Sequence, residues 1–196
     1  MKISLGAATI ALPLPAWVIC TYDQNGRANA MTAAWTGICC SIPPCVYFSS
    51  RESRYTYECV TARRAFTVNI PSATQAAQTD FLGIVSGRKL DKLGQAGLTA
   101  VRGQHVDAPA IAEFPLTLEC RLAQQSELGS HTMFIGEIVD VQCAEELLNA
   151  DGKLDGAKLQ AFTYCPADGT YYATGPALGS GYQLGRHLIP GDDAEK

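Results

Sequence analysis

The sequence predicts a mainly β fold with short flanking helices, and three observations support this. Residues 17–22 and 66–70 are short runs rich in β-branched and aromatic side chains, which favour strands. Residues 116–122 alternate apolar and polar side chains, as an antiparallel strand with one face in water does. Asn-Gly and Pro-Pro pairs separate such runs and predict tight turns. The pattern is that of strands joined by short connections.

The first elements are a predicted hairpin and a longer strand. The strand at 17–22 leads into a turn at 23–26, where the Asn-Gly pair tolerates a positive φ. Residues 29–39, with mostly small apolar side chains, form one further predicted strand. Pro43 and Pro44 exclude helix and interrupt any ladder of hydrogen bonds, so a tight connection follows.

A strand, a helix and a strand come next. Residues 46–48 form a short predicted strand, and Ser53 stands where an N-cap belongs, before a helix-compatible stretch at about 54–64. Residues 66–70 return as a strand that Pro71 ends. The helix therefore begins in a segment rich in Ser, Arg and Thr.

The second half of the chain predicts further elements of both kinds. Residues 74–81 predict a short helix, and the glycine-rich residues 83–97 predict a loop, a candidate lid that carries Lys92. Residues 131–141 form another strand, in which Gly136 marks a bulge or a close approach of the backbone. These elements complete the predicted sheet.

The start of the predicted helix is a candidate anion site. Unpaired backbone N–H groups, the positive end of the helix dipole and an arginine fork all favour a phosphate oxygen. The candidate ligands are Arg51, Ser53, Arg54 and Thr56. Spacing alone favours the simpler interpretation, an ordinary N-cap with two solvated arginines.

A second group of residues shifts that balance toward a ligand. Asn29, Met31, Thr32 and Trp35 bring an amide, a thioether, a hydroxyl and an indole close together in the chain. Such groups can grip a heteroaromatic ring by its edge and its face. Taken singly, Met31 or Trp35 is more typical of a core. The two groups together predict a site for a phosphate beside a flat apolar ring.

A set of motifs carries a family resemblance. In chain order they are P-x-W-V from residue 15, D-x-x-G from residue 23, N-A-M-T-x-x-W from residue 29, S-x-P-P from residue 41, S-R-x-S-R-Y-T-Y-E from residue 50 and F-T-V-N-I-P from residue 66. In this combination the chain resembles the flavin reductase-like, FMN-binding split-barrel family and, within it, the flavoredoxins. The likeness covers about residues 10–180, far more than any single motif.

The resemblance implies a six-stranded antiparallel Greek-key split β-barrel with flanking helices, usually a homodimer with FMN near the subunit interface. A single domain over 1–196 would hold the barrel core at about 10–180 and a C-terminal tail at about 181–196. The resemblance also implies the cofactor-binding residues, which are Asn29, Met31, Thr32, Trp35, Ser49, Ser50, Arg51, Thr56, Lys92 and His131.

The function implied is that of an FMN-dependent oxidoreductase that passes electrons from NADH or NADPH through FMN to an acceptor. The cofactor carries the chemistry, so no catalytic side chain is expected, and Thr32 and His131 are interpreted as tuning the flavin. The alternative is a flavoredoxin-type electron carrier with permanently bound FMN that a protein partner reduces. A third interpretation is a flavin-storing or structural relative.

Composition and charge exclude other classes. The net charge of −4 argues against nucleic acid as a partner, because a duplex binder needs a basic face. Pro13 and Pro15 break the apolar N-terminal run, so it is not interpreted as a signal peptide, and no window predicts a membrane span. A cytoplasmic protein is expected.

The eight cysteines include no C-x-x-C pair, so no metal site is predicted. Cys20, Cys120 and Cys143 fall on apolar strand-like runs and are expected to behave as small buried hydrophobes. Free thiols in a reducing cytoplasm are the favoured interpretation. A redox-active thiol at Cys45 or Cys59, near the predicted site, is the alternative.

Overall fold

The structure, a computed structural model, describes residues 1–190 and consists mainly of antiparallel strands. The strands are β1 (Leu14–Pro15), β2 (Trp17–Tyr22), β3 (Ala28–Ala33), β4 (Thr36–Ser41), β5 (Pro44–Ser50), β6 (Ala65–Ile70), β7 (Ala100–Arg102), β8 (Pro109–Ile111), β9 (Leu116–Leu128), β10 (His131–Cys143), β11 (Phe162–Cys165) and β12 (Thr170–Ala173). The helices are α1 (Tyr55–Arg63), α2 (Ala76–Ile84), α3 (Lys92–Gln95) and α4 (Gly156–Leu159). Of the predicted tail at 181–196, residues 191–196 lie outside the described residues.

The main sheet has seven strands in the order β3-β2-β6-β9-β10-β5-β4, and every neighbouring pair is antiparallel. A second sheet joins β1, β11 and β12, and β7 pairs with β8. The prediction of a mainly β fold is confirmed. The main sheet nevertheless has seven strands where the resemblance implies six, and the strand predicted at 29–39 is in fact two, β3 and β4.

The break between β3 and β4 shows how the sheet closes. These strands lie at opposite ends of the strand order, yet only Ala34 and Trp35 join them. Such a short link requires the sheet to curl until its two edges approach each other, which makes a barrel with an open seam. The Ser49 N–H of β5 donates to the Trp35 carbonyl at 2.9 Å. Trp35 is therefore fixed at the seam.

The barrel interior holds an aromatic core. The rings of Phe48 and Phe134 stack with centroids 4.9 Å apart, and Phe66 meets Phe48 edge-on. A Cβ atom on Gly136 would lie 2.4 Å from the Phe66 ring, so the position requires glycine. The register of β10 against β9 shifts at the same residue. The predicted bulge and the predicted close approach at Gly136 are both present.

Helices α2 and α3 cover the outer face of β2. Val18 and Cys20 of β2 pack with Leu82 of α2 and Leu93 of α3, while Ile19 belongs to the barrel core. Because β2 is buried on both faces, it fixes the two helices against the barrel. Both helices also contact β3.

One prediction about β9 is wrong. Thr117 and Glu119 were expected to face water with Arg121, but both are buried and only Arg121 is exposed. The connection after β7 folds over this face, and the Glu119 carboxylate accepts three consecutive backbone N–H groups of residues 104–106 at 2.6 to 3.1 Å. The alternation was correct, but the segment that covers the polar face is remote in sequence.

The connection after α2 also differs from its prediction. The helix predicted at 74–81 is present as α2, but the predicted loop at 83–97 includes a second helix, α3. Asp91 caps α3 by accepting the Gly94 N–H at 3.2 Å. Across residues 1–190, no helix has the length and apolar character that crossing a bilayer requires.

Candidate functional site

Two adjoining pockets meet where β3, the end of β5 and the start of α1 come together. The basic pocket has a volume of about 180 Å³, and its lining includes Asn29, Arg51, Arg54, Thr56, Gly87 and Lys92. The aromatic pocket has a volume of about 250 Å³, and its lining includes Thr32, Trp35, Ser49, Ser50 and His131. Met31, Arg51 and Arg54 line both pockets, which therefore form one cleft.

All ten side chains predicted to bind the cofactor line this cleft. Asn29, Thr56 and Lys92 line the basic pocket alone. Met31 and Arg51 line both pockets, and the aromatic pocket receives the other five, Thr32, Trp35, Ser49, Ser50 and His131. Their clustering gives the site geometry, whereas their role in holding a flavin stays a prediction.

Helix α1 presents an uncapped N-terminus to the basic pocket. The N-cap residue is Arg54, not the predicted Ser53, and no side chain caps the helix. The Arg54 N–H donates to the Arg51 carbonyl at 3.0 Å, and this turn moves the helix start one residue beyond the prediction. Both Ser53 and Arg54 still line the pocket. Uncapped N–H groups and two guanidinium groups make this end of the cleft suited to an anion.

Lys92 supplies a buried cation to the same pocket. Its Nζ donates to the carbonyls of Leu82 at 2.8 Å and Val85 at 3.1 Å. The pKa of the ammonium group is lowered from 10.5 to about 8, mainly because of burial; nearby Cys20 opposes this shift and Arg54 adds to it. An ammonium group has three donors, so one remains for a ligand. Lys92 also ties the end of α2 to α3.

Asn29 and Thr56 form a buried pair at the floor of the basic pocket. The Asn29 Nδ2 donates to the Thr56 Oγ1 at 2.8 Å, which leaves the hydroxyl proton of Thr56 able to donate to a ligand. Asn29 Oδ1 has no hydrogen-bond partner among the described residues. A Cβ atom on Gly87 would lie 2.1 Å from this oxygen, so the amide fits only against glycine.

Trp35 and His131 face each other in the aromatic pocket. Their ring centroids are 4.6 Å apart at an interplanar angle of 46°. Burial lowers the pKa of His131, and the positive charge of Arg51 lowers it further, so the imidazole is neutral at pH 7. Its Nδ1 lies 2.9 Å from Ser130 Oγ, which leaves Nε2 for a ligand.

The hydroxyl of Thr32 is already engaged. It donates to the carbonyl of Thr79 in α2. Because that bond uses its proton, Thr32 can only accept a hydrogen bond from a ligand. A tuning role for Thr32 would therefore use its oxygen as an acceptor. The tuning of a flavin by Thr32 and His131 stays a prediction.

Sequence reasoning missed one wall of the cleft. Five of the residues in the segment 82–87, all but Ile84, line the basic pocket together with Tyr55, but none of them was among the predicted site residues. A signal was present, because this segment overlaps the glycine-rich residues 83–97 that were predicted as a candidate lid. Much of what this wall offers is backbone and a missing Cβ atom, which residue chemistry alone does not reveal.

The cysteines do not form a reactive centre in the cleft. Cys45 and Cys59 are buried and line neither pocket. Burial raises the pKa of both thiols, that of Cys59 to about 11, which disfavours the thiolate. Cys20 and Cys120 are buried as expected, but Cys143 is exposed, contrary to its prediction. Among residues 1–190, no three His, Cys, Asp or Glu side chains cluster as a metal site would require.

Comparison with known proteins places this cleft in a family. The family model described as "Flavin reductase like domain" matches residues 10–158. The chain belongs to the flavin reductase-like family. All ten predicted cofactor residues of this flavin reductase-like protein lie within the matched range.

Three similar proteins show how far the likeness reaches. The solved structure of the flavoredoxin of Desulfovibrio vulgaris (Miyazaki F) has 46% sequence identity and a TM-score of 0.90, covering 94% of this chain and 100% of that one. An uncharacterized protein of Aeropyrum pernix is 35% identical over 130 residues, which are 66% of this chain and 49% of the relative. The reductase component of a 4-nitrophenol 4-monooxygenase/4-nitrocatechol 2-monooxygenase from Rhodococcus opacus is 27% identical over 124 residues, 63% of each chain.

The chain therefore spans about half the length of the Aeropyrum pernix relative, whereas it spans the whole of the Desulfovibrio vulgaris flavoredoxin. The latter match confirms the mainly β, split-barrel fold predicted from the resemblance, but not the count of six strands.

Proposed function

We propose that this flavin reductase-like protein binds FMN in the cleft and acts as an oxidoreductase that passes electrons from NADH or NADPH through FMN to an acceptor. The observation that carries the proposal is the direct junction of the basic and aromatic pockets through shared Met31, Arg51 and Arg54. FMN has the matching composition, a flat ring joined to a terminal phosphate. The flavoredoxin and the monooxygenase reductase component among the similar proteins support the same class of chemistry.

The basic pocket has the donor set that a phosphate monoester requires. The N-terminus of α1, the guanidinium groups of Arg51 and Arg54 and the remaining donor of Lys92 all present positive charge or N–H groups. Thr56 adds a hydroxyl donor. Within residues 1–190, Lys92 forms no ion pair with a carboxylate, and its Nζ bonds only to backbone carbonyls. A bound dianion would offset the free-energy cost of burying this charge.

The aromatic pocket and the boundary between the pockets suit the rest of FMN. Trp35 and Met31 offer an aromatic face and a polarisable thioether to a flat ring. Asn29 Oδ1 is a buried acceptor without a partner, and the hydroxyl groups of a ribityl chain are donors of the kind that would satisfy it. The residues present therefore fit FMN.

When bound, FMN would supply two-electron hydride chemistry and one-electron transfer at a single ring. The protein's own contribution is to hold the flavin, to orient its ring and to polarise it through hydrogen bonds. Neutral His131 can donate or accept a hydrogen bond through Nε2, and Trp35, at 37% exposure, leaves the pocket open to a second flat ring. Access from solvent is what a nicotinamide donor would need.

The alternative is a flavoredoxin-type electron carrier, in which FMN stays bound and a protein partner reduces it. The 46% identity with a flavoredoxin favours this candidate. Both candidates use the same cleft, and they differ in whether a nicotinamide nucleotide reaches it.

We also expect a homodimer. Large apolar side chains in both terminal segments are exposed, including Ile3, Leu5, Leu178 and Tyr182. Exposed apolar surface of this kind is typical of an interface. Light scattering on the purified protein would test this, and a monomer at micromolar concentration would contradict it.

The visible absorption spectrum of the purified protein, recorded before and after anaerobic NADH and then NADPH, tests the function. Yellow protein that bleaches with a nucleotide would support the reductase. Yellow protein indifferent to both nucleotides, but reduced by a redox protein, would support the carrier. Colourless protein that binds no added FMN would contradict both.

A further inference from the structure

The basic pocket ends at a wall formed by the ring of Tyr55. On the far side lies another pocket, here called the outer pocket, of about 360 Å³, lined by Gln24, Tyr55, Glu58, Cys59, Ala62 and Arg88. Tyr55 lines both the basic pocket and the outer pocket. One aromatic side chain therefore separates the anion end of the cleft from an adjoining space with its own arginine.

Several contacts hold the Tyr55 ring in place. Its hydroxyl donates to Asp23 Oδ2 at 2.8 Å, and Asp23 in turn accepts the backbone N–H groups of Asn25 and Arg27, each at 2.9 Å. Burial raises the pKa of Tyr55, and the hydrogen bond to Asp23 raises it further, so the phenol remains a donor at neutral pH. The ring is thus anchored to the β2–β3 turn.

Arg88 closes the wall from the outside. Its guanidinium carbon lies 4.9 Å from the Tyr55 ring centroid, a cation–π contact. The same group donates to both carboxylate oxygens of Glu58 at 2.9 and 2.8 Å. Since Glu58 belongs to α1 and Arg88 follows the missed wall at 82–87, this pair joins the two sides of the basic pocket.

The backbone of Gly87 packs directly against the Tyr55 ring. A Cβ atom there would lie 3.2 Å from a Tyr55 ring carbon, so the backbone already packs against the ring. Arg27 donates to the Gly87 carbonyl at 2.7 Å and holds the backbone in this position. Gly87 and Arg88 thus pack against the Tyr55 ring, and the three residues are called the Tyr55 wall below.

We propose that the Tyr55 wall makes the cleft selective for a flavin that ends in a monophosphate and excludes a flavin dinucleotide. The inference rests on the proposed function and adds the determinant of cofactor class. A terminal phosphate fits a pocket that is closed beyond the phosphate position. The diphosphate of a dinucleotide must continue into an adenosine, and the Tyr55 wall lies between the basic pocket and the outer pocket that could hold it.

The charge of the pocket acts in the same direction. A terminal phosphate monoester approaches two negative charges at neutral pH, whereas each phosphate of a dinucleotide carries one. Lys92, Arg51 and Arg54 all line this one pocket and place three positive charges around it. The basic pocket should therefore bind a terminal phosphate more tightly than a diphosphate, both because its charge is concentrated and because the ligand ends there.

The test is calorimetric titration of the ligand-free protein with riboflavin, FMN and FAD. For the wild type we expect FMN to bind at least about tenfold more tightly than FAD. Tyr55→Ala should bring the two affinities closer by about tenfold, because the outer pocket becomes accessible to the adenosine. Tyr55→Phe, which keeps the ring, should retain the preference. Arg88→Ala should lower the ratio of FMN affinity to FAD affinity by about threefold, the effect expected from the loss of an exposed ion pair.

Tyr172→Ala, a change at a half-exposed tyrosine on β12, is the matched control and should leave the ratio unchanged. Equal binding of FMN and FAD by the wild type, or an unchanged ratio in Tyr55→Ala, would overturn the inference. If Tyr55→Ala does not fold by circular dichroism, an unchanged ratio in Arg88→Ala would overturn it instead. Failure to bind any of the three flavins would contradict the proposed function itself, so the two failures are distinct.

Discussion

The basic pocket and the aromatic pocket adjoin each other but are built differently. Thr56 and Lys92 are buried in the basic pocket, where hydrogen bonds fix them before any ligand arrives. In the aromatic pocket, Trp35 and His131 are partly exposed and make ring contacts rather than a network of bonds. Under the proposed function, this difference gives the two pockets different roles. The basic pocket is preorganised for affinity, and the aromatic pocket stays open to a second reactant.

The largest expected effect comes from filling the contact between Gly87 and Asn29. In Gly87→Ala the new Cβ atom would lie 2.1 Å from Asn29 Oδ1 and 3.2 Å from the Tyr55 ring. We expect FMN affinity to fall by about 100-fold, the upper range of overpacking costs. Calorimetric titration with FMN measures the change. Gly156→Ala, where a Cβ atom meets nothing within 4 Å, is the control, and equal affinities in the two variants would contradict the geometry.

Arg51→Ala sharpens the comparison between the pockets. Removing a charged donor to phosphate should weaken FMN binding by about 30-fold, while riboflavin, which lacks the phosphate, should lose much less. Arg121→Ala, on the exposed face of β9, controls for the loss of positive charge. A similar loss for riboflavin and FMN would show that Arg51 acts on the ring and not on the phosphate.

Trp35→Ala should show the opposite pattern. Loss of a stacking surface should weaken FMN and riboflavin by a similar factor of about ten, because both ligands carry the same ring. Trp35→Phe should restore most of the affinity, since it keeps an aromatic face. Fluorescence titration with each flavin measures both. If Trp35→Ala weakened FMN alone, the assignment of the ring to the aromatic pocket would be wrong.

Much of this site could be predicted from short segments of sequence. Asn29 to Trp35 and Arg51 to Thr56 are each local groups of suitable chemistry, and the structure brings both to one cleft. The number of strands in this part of the chain was harder to predict. The run at 29–39 gives no signal that its two halves lie on opposite edges of a closed sheet.

What the sequence does not reveal are contacts between distant segments. The Thr32 hydroxyl proton, for example, is used by the Thr79 carbonyl, 47 residues away. Glu119 follows the alternation of an exposed position, yet the N–H groups of residues 104–106 bury its carboxylate. The wall at 82–87 acts mainly through backbone. Periodicity and residue type do not encode such tertiary contacts.

Lys92 offers the smallest and most specific test, through pH. Its pKa of about 8 in the folded protein lies below its ordinary value of 10.5, so between these values the unfolded chain binds more protons than the folded one. In the absence of flavin, its contribution to the free energy of unfolding therefore rises with pH across this window, and below pH 8 the cost of burying the charge is fully present. Cys20 stays a neutral thiol here, because burial raises its pKa to about 12.

A bound phosphate reverses the balance, because it stabilises the ammonium form and raises the pKa of Lys92. We therefore expect FMN affinity to be highest below pH 8 and to fall by up to about tenfold by pH 9.5, as protonation becomes part of the binding equilibrium. Lys92→Met should bind FMN more weakly than the wild type at pH 7 and should lose this pH dependence. Lys92→Arg, whose charge does not titrate, should also lose the pH dependence but should bind FMN more tightly than Lys92→Met. Riboflavin binding should vary little with pH in all three proteins. A wild-type affinity for FMN that does not change between pH 7 and 9.5 would remove Lys92 from the phosphate site and leave it a clamp between α2 and α3.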